Sequence, residues 1–135
     1  MAFSSVHEMI DLCKESGKPL YEVILESDLA ESGLTRAESE AEMHRLWAVM
    51  QATSDGYCGA DRSMSGFAGG DAAKVNAAAA RGVLYADGYF ADVMAEALKT
   101  AECNACMKRI VAAPTAGSCG VLPAVLIPLT DERDV

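Results

Sequence analysis

Cys119 is the first residue of this chain with evident chemical potential, because it lies in Val111-Ala112-Ala113-Pro114-Thr115-Ala116-Gly117-Ser118-Cys119-Gly120-Val121-Leu122-Pro123. Gly117 and Gly120 allow positive φ and close approach of a second group, and Pro114 and Pro123 are expected to stop helices on either side. The segment is predicted to be a rigid loop presenting a thiol; a buried turn holding a small apolar cysteine is the competing reading. Cys103 and Cys106 form a Cys-x-x-Cys pair. On a continuing helix two such thiols could share a metal, but no second pair follows, and structural cysteines are the simpler reading. A third feature is Gly69-Gly70 ahead of Asp71. A glycine pair at a helix start leaves backbone N–H groups free for a carboxylate or phosphate, or it merely permits tight packing.

The elements that must position these groups are helical. Ser5-Val6-His7-Glu8 has the form of a capping box, and Val6, Met9, Ile10 and Cys13 follow at helical spacing up to Gly17. Pro19 suits a first helical turn, with Leu20, Val23 and Ile24 as an apolar stripe and Gly33 as a stop. Thr35-Arg36-Ala37-Glu38 is a second capping box, and Met43, Leu46, Trp47, Met50 and Tyr57 trace the expected core face of a longer helix. His44 on that helix is assigned to the surface. Residues 56–70 are rich in Gly, Ser and Asp and are predicted to form a long functional loop. Asp71 is then the expected N-cap of a helix over 72–81, and Asp87 that of the next, whose expected core stripe is Phe90, Val93, Met94, Ala97, Leu98 and Ala101.

Composition sets the class. The chain has 135 residues, 51% of them hydrophobic but only 6% aromatic, which favours helices packed through small side chains: an all-α fold in one domain, 1–135. A net charge of -9, with 11 Lys and Arg against 20 Asp and Glu, argues against nucleic acid as a partner. Five cysteines, an odd number whose spacing suggests no disulfide framework, fit reduced thiols in the cytoplasm, and Met1 to Glu15 lacks the pattern of a secretory signal. The uncharged run from Ile110 to Thr130 is broken by Pro114, Gly117, Gly120, Pro123 and Pro128, so no membrane span is expected. Leu126-Ile127-Pro128-Leu129 is apolar and needs a covering surface in this domain or in another polypeptide.

Three blocks, Ser63-Met64-Ser65-Gly66-Phe67-Ala68-Gly69-Gly70-Asp71-Ala72-Ala73-Lys74, Asn104-Ala105-Cys106-Met107 and Ala113 to Ala124, resemble in order and spacing the α chain of the bacterial iron–sulfur L-serine dehydratases, also called L-serine deaminases. The resemblance covers essentially the whole sequence, although the family's α chain is considerably longer. It implies conversion of L-serine to pyruvate and ammonia, with a four-iron four-sulfur cluster and a β chain as partner. An iron with an open position would act as Lewis acid on the serine hydroxyl, which is otherwise a poor leaving group. By the same resemblance Cys119 falls on the first cluster-ligating cysteine, the other ligands lying farther along the family's chain. Ser65, Gly66, Gly69, Gly70, Asp71 and Thr115 fall on positions that line the substrate pocket, and Lys74, one turn into the following helix, either adds charge there or is simply solvated. No base is identified for removing the α-proton; the β chain is one place for it. Serine or threonine preference and assembly as a homo-oligomer are left open.

Two other functions compete with this one. Cys103, Cys106 and Cys119 could form a thiolate set in a small metal or redox protein. Alternatively, the chain is a non-catalytic helical module whose apolar end binds another polypeptide.

Overall fold

The computed structural model describes residues 3–84, 88–113 and 115–133. The expected caps of Asp87 and the helix-stopping role of Pro114 lie outside these residues. Among them the chain is all-α, with six α-helices and no strand: α1 (Val6–Ser16), α2 (Leu20–Ser32), α3 (Arg36–Asp55), α4 (Asp71–Ala80), α5 (Gly88–Ala105) and α6 (Val121–Arg133). They group into two compact units, 1–45 and 46–135, and α3 contributes residues to both.

In the first unit α1 packs on α2, and both helices end where a glycine at positive φ closes the last turn, Gly17 and Gly33. The box at Thr35 and Glu38 forms in both directions: Glu38 Oε2 accepts from the Thr35 N–H at 2.8 Å, and Thr35 Oγ1 accepts from the Glu38 N–H at 3.3 Å. The one at Ser5 forms by half. Ser5 Oγ accepts from the Glu8 N–H, but the Glu8 carboxylate turns to the N–H and hydroxyl of Ser4, one residue earlier. Pro19 sits just outside α2 as its N-cap, since its extended ψ of 155° is not helical. Val23 and Ser39 are the buried side chains of this unit among the described residues.

The second unit carries the larger core. Helix α5 packs on both α4 and α6, and the buried residues are mostly small: Ala72, Ala91, Ala95, Cys103, Cys119 and Ala124, with Pro123 wholly enclosed. The sequence-based core stripe of α5 is corrected here. Phe90 and Met94 are exposed, and α5 instead buries Ala91, Ala95, Glu96, Thr100, Glu102 and Cys103. Of that stripe Ala97 is half-buried and meets α6 closely: a Cβ on Gly120 would lie 2.9 Å from the Ala97 carbonyl oxygen. Of the expected core face of α3, Met50 is buried, while Met43 is exposed and Trp47 half-buried.

Pro123 does not end a helix. It is the third residue of α6, where a missing N–H costs nothing, and Pro128 is carried within the same helix. Among the described residues no helix is long and apolar enough to cross a membrane.

Candidate functional site

The loop between α3 and α4 is built on its own backbone. The Ser63 N–H donates to the Ala68 carbonyl at 2.9 Å and the Gly66 N–H to the Ser63 carbonyl at 2.8 Å, closing a tight hairpin-like turn. Ser63 Oγ takes the Ala68 N–H and shares a hydrogen with Ser65 Oγ 3.1 Å away. This turn leaves Met64 and Phe67 almost wholly exposed at its tip. Gly69 and Gly70 then bring the chain back against residues 59–62. At φ 128° a Cβ on Gly69 would sit 2.2 Å from the Asp61 carbonyl oxygen, and one on Gly70 would sit 2.9 Å from that of Gly59. Only glycine fits either place.

Helix α4 begins one residue earlier than its sequence suggests. Gly70, not Asp71, is the N-cap, and Asp71 is the first helical residue. Asp71 instead pairs with Lys74 at 2.7 Å on the exposed side of the helix, and the bond from Lys74 holds its carboxyl below the usual range. The N-terminal amides of α4 are not free. Glu102, reaching across from α5, accepts the N–H groups of Gly70 at 2.9 Å, Asp71 at 2.6 Å and Ala72 at 3.4 Å. Tyr57 donates its hydroxyl to the same carboxylate at 2.7 Å, and the Ala73 N–H donates to the Tyr57 oxygen. The expected receptor for an external carboxylate thus exists, but the chain's own Glu102 fills it.

That neighbourhood sets two protonation states. Burial first, and the hydrogen bond to Glu102 second, push the Tyr57 phenol up to about 12. Since this lies above its ordinary value of 10.0, the contribution of the neutral phenol to stability is whole below pH 10 and is lost as the pH rises through 12. The stability difference between the native chain and Tyr57→Phe is therefore expected to shrink across that window in urea titrations at stepped pH.

Burial likewise pushes the Cys103 thiol up, so it is a protonated packing group at neutral pH; its Sγ lies 3.7 Å from the Thr53 carbonyl oxygen. Cys103 and Cys119 are 2% and 3% exposed, whereas Cys58 is open to solvent. A thiol reagent is expected to label Cys58 about a hundredfold or more faster than the two buried cysteines, as read by mass spectrometry of the time course.

Cys119 follows a single 3-10 turn, Ala116–Ser118, and directly precedes the Gly120-Val121 start of α6. Thr115 caps that turn: its Oγ1 accepts from the Ser118 N–H while Ser118 Oγ accepts from the Thr115 N–H, both at 3.3 Å. Asn104 joins this segment to α5 by donating from Nδ2 to the Ala116 carbonyl at 3.3 Å. Both segments singled out from sequence are thus fastened to the end of α5, the glycine-rich one through Glu102 and the cysteine-bearing one through Asn104. Ser65, Gly66 and Thr115 lie exposed, Gly69 half-buried and Gly70 buried.

Cys103 and Cys106 do not share a continuing helix, because α5 ends at Ala105 and Met107 takes a left-handed φ of 61°. Together with Tyr57, Cys58, Asp61 and Lys108 they line a narrow crevice with no room for a water molecule. Among the described residues no three His, Cys, Asp or Glu side chains are grouped to hold a metal ion. One buried thiol at Cys119 does not by itself fit an iron–sulfur cluster, which takes several thiolates. A shared site of Cys103, Cys106 and Cys119 is not formed either.

Sequence reasoning missed the residues that organise this region. Tyr57 reads from its spacing as part of a core stripe, and nothing in the periodicity of α5 marks Glu102 as a carboxylate turned inward. The same is true of Glu96, buried on α5, which accepts from the Ser54 hydroxyl at 2.6 Å and pairs with Lys99.

Residues 15–135 match the family described as serine dehydratase alpha chain. The chain belongs to this family. It is 33% identical over 130 residues to a protein of Peptoniphilus asaccharolyticus named "L-serine dehydratase, alpha chain", an alignment covering 96% of this chain and 44% of that protein. It is 30% identical over 130 residues to the "Probable L-serine dehydratase, alpha chain" of Bacillus subtilis (strain 168), covering 96% of this chain and 43% of that one. The chain therefore spans less than half the length of the curated relatives it matches. No solved structure matches it.

Proposed function

We propose that this chain supplies the N-terminal portion of an L-serine dehydratase α chain, acting with a β chain to convert L-serine to pyruvate and ammonia. The observation that carries this reading is the family match over residues 15–135, which takes in all three sequence blocks. The fold supports it by fastening the glycine-rich loop and the Cys119 segment to one end of α5.

In this reading Ser65, Gly66, Gly69, Gly70, Asp71, Lys74 and Thr115 belong to the serine-binding region. Glu102 already holds the Gly70 and Asp71 amides, so the substrate carboxylate is met by other groups of that region, such as the hydroxyls of Ser65 and Thr115 or the ammonium of Lys74. Cys119 is the one cluster ligand this chain offers, the others standing in the part of the relatives' α chains beyond the match. The four-iron four-sulfur cluster is a property of the whole enzyme, in the cytoplasm.

The ligand assignment is tested in a chimera in which this chain replaces the 130 aligned residues of the Peptoniphilus protein. Loaded anaerobically with iron and sulfide, the chimera is expected to show the visible absorption of a cluster, and Cys119→Ser is expected to lose it. An undiminished cluster in Cys119→Ser would remove Cys119 from the ligand set.

A further inference from the structure

Glu102 is only 6% exposed, and its carboxylate is the meeting point of donors from two other segments. Oε2 takes the Tyr57 hydroxyl at 2.7 Å and the Gly70 N–H at 2.9 Å; Oε1 takes the N–H groups of Asp71 at 2.6 Å and Ala72 at 3.4 Å. Tyr57 stands near the start of the glycine-rich loop and Gly70 at its end. One carboxylate therefore holds both ends of the loop against α5. The interaction is physically apt, since a helix N-terminus presents unpaired N–H groups and positive potential, and a buried carboxylate needs both. With its oxygens so occupied, Glu102 is neither a base nor a ligand in this arrangement.

We propose that Glu102 is the positioning residue of the candidate site, setting the course of the loop over residues 57–70 through Tyr57 and the first amides of α4. Its importance for serine rests on the function proposed above, but the positioning itself is a property of this chain. The loop's Ser63 to Ala68 turn is closed by its own bonds, so Glu102 places the turn as a unit rather than shaping it. Gly69 and Gly70 are required because this placement presses the chain against Gly59 and Asp61. The role is distinct from that of Asn104, which acts on the Ala116 side.

The experiment compares the native chain with Glu102→Gln and Glu102→Ala by amide-resolved NMR. Glu102→Gln keeps the shape but exchanges one acceptor oxygen for a donor. It is expected to shift the Gly70 and Asp71 amide resonances, to speed their hydrogen exchange about tenfold or more, and to raise tryptic cleavage after Arg62 by a similar factor, with helix content retained. Glu102→Ala leaves the amides and the Tyr57 hydroxyl facing an empty place. Added formate is expected to restore those resonances toward native positions, which a purely space-filling role would not allow. Should Glu102→Ala fail to fold, Glu102→Gln decides alone.

Unchanged Gly70 and Asp71 amides together with unchanged Arg62 cleavage in Glu102→Gln would overturn the proposal. So would formate shifts that are the same in Glu102→Ala and the native chain. In the chimera joined by its β chain, Glu102→Gln is expected to raise KM for L-serine about tenfold with a smaller change in kcat. A native chimera that makes no pyruvate would defeat the proposed function while the amide measurements still judge Glu102.

Discussion

Gly69→Ala is expected to destabilise the second unit by about 3 kcal/mol or more in chemical denaturation, a large effect for one added methyl group. Two costs coincide at this position. A side chain at φ 128° is strained, and the new Cβ would sit 2.2 Å from the Asp61 carbonyl oxygen, which belongs to the backbone and cannot swing aside. Relief requires residues 61–69 to move apart, and that pulls Gly70 and Asp71 away from Glu102. A buried carboxylate then loses its donors, which adds to the loss. Gly66→Ala is the control. It also has positive φ, 76°, but its Cβ would meet nothing within 4 Å, so its effect is limited to about 1 kcal/mol of backbone strain.

Gly120→Val is expected to cost still more, about 3 to 5 kcal/mol, and to act on the helices rather than on a loop. The first added carbon would lie 2.9 Å from the Ala97 carbonyl oxygen and 3.6 Å from its Cα, so α5 and α6 could remain together only by separating along their contact. Dispersion contacts along both helices fall steeply with such a gap. The residues that lose packing include Cys119, Pro123 and Ala124, all buried beside this contact. A lowered thermal midpoint should accompany faster labelling of Cys119, read in the same sample. Gly117→Ala nearby, with only the Thr115 hydroxyl 3.9 Å from its Cβ, should leave both measurements near the native values.

Much of the fold could be read along the chain because the signals were local. Gly17 and Gly33 end α1 and α2, Thr35 and Glu38 cap α3, and the low aromatic content matches a core of alanine and other small residues. What escaped the sequence was decided by contacts between distant segments. The large apolar residues of α5 suggest a core stripe, yet Phe90 and Met94 are exposed and the helix packs through the smaller Ala91 and Ala95. Asp71 has every local qualification as an N-cap, yet Gly70 takes that position and the amides at the helix start are met by Glu102, 31 residues beyond Asp71. Pro123 reads as a helix breaker until its place in the first turn of α6 is known.

The candidate site was legible to the same degree. The glycine pair announced an amide receptor at the start of α4, and the receptor is there; its occupant, Glu102, could not be found from residue spacing. The Cys119 segment announced a constrained thiol. The chain gives it a 3-10 turn capped by Thr115 and a burial of 3% exposure, but no companion ligands among the described residues.

The most direct test of this account is pyruvate release from L-serine, measured anaerobically on the chimera of this chain with the remainder of the Peptoniphilus α chain, loaded with iron and sulfide and combined with its β chain. The expected result is pyruvate formation within about tenfold of the parent enzyme, lost in Cys119→Ser. A chimera that folds, takes up its cluster and yet forms no pyruvate from L-serine would contradict the assignment of this chain to serine dehydration.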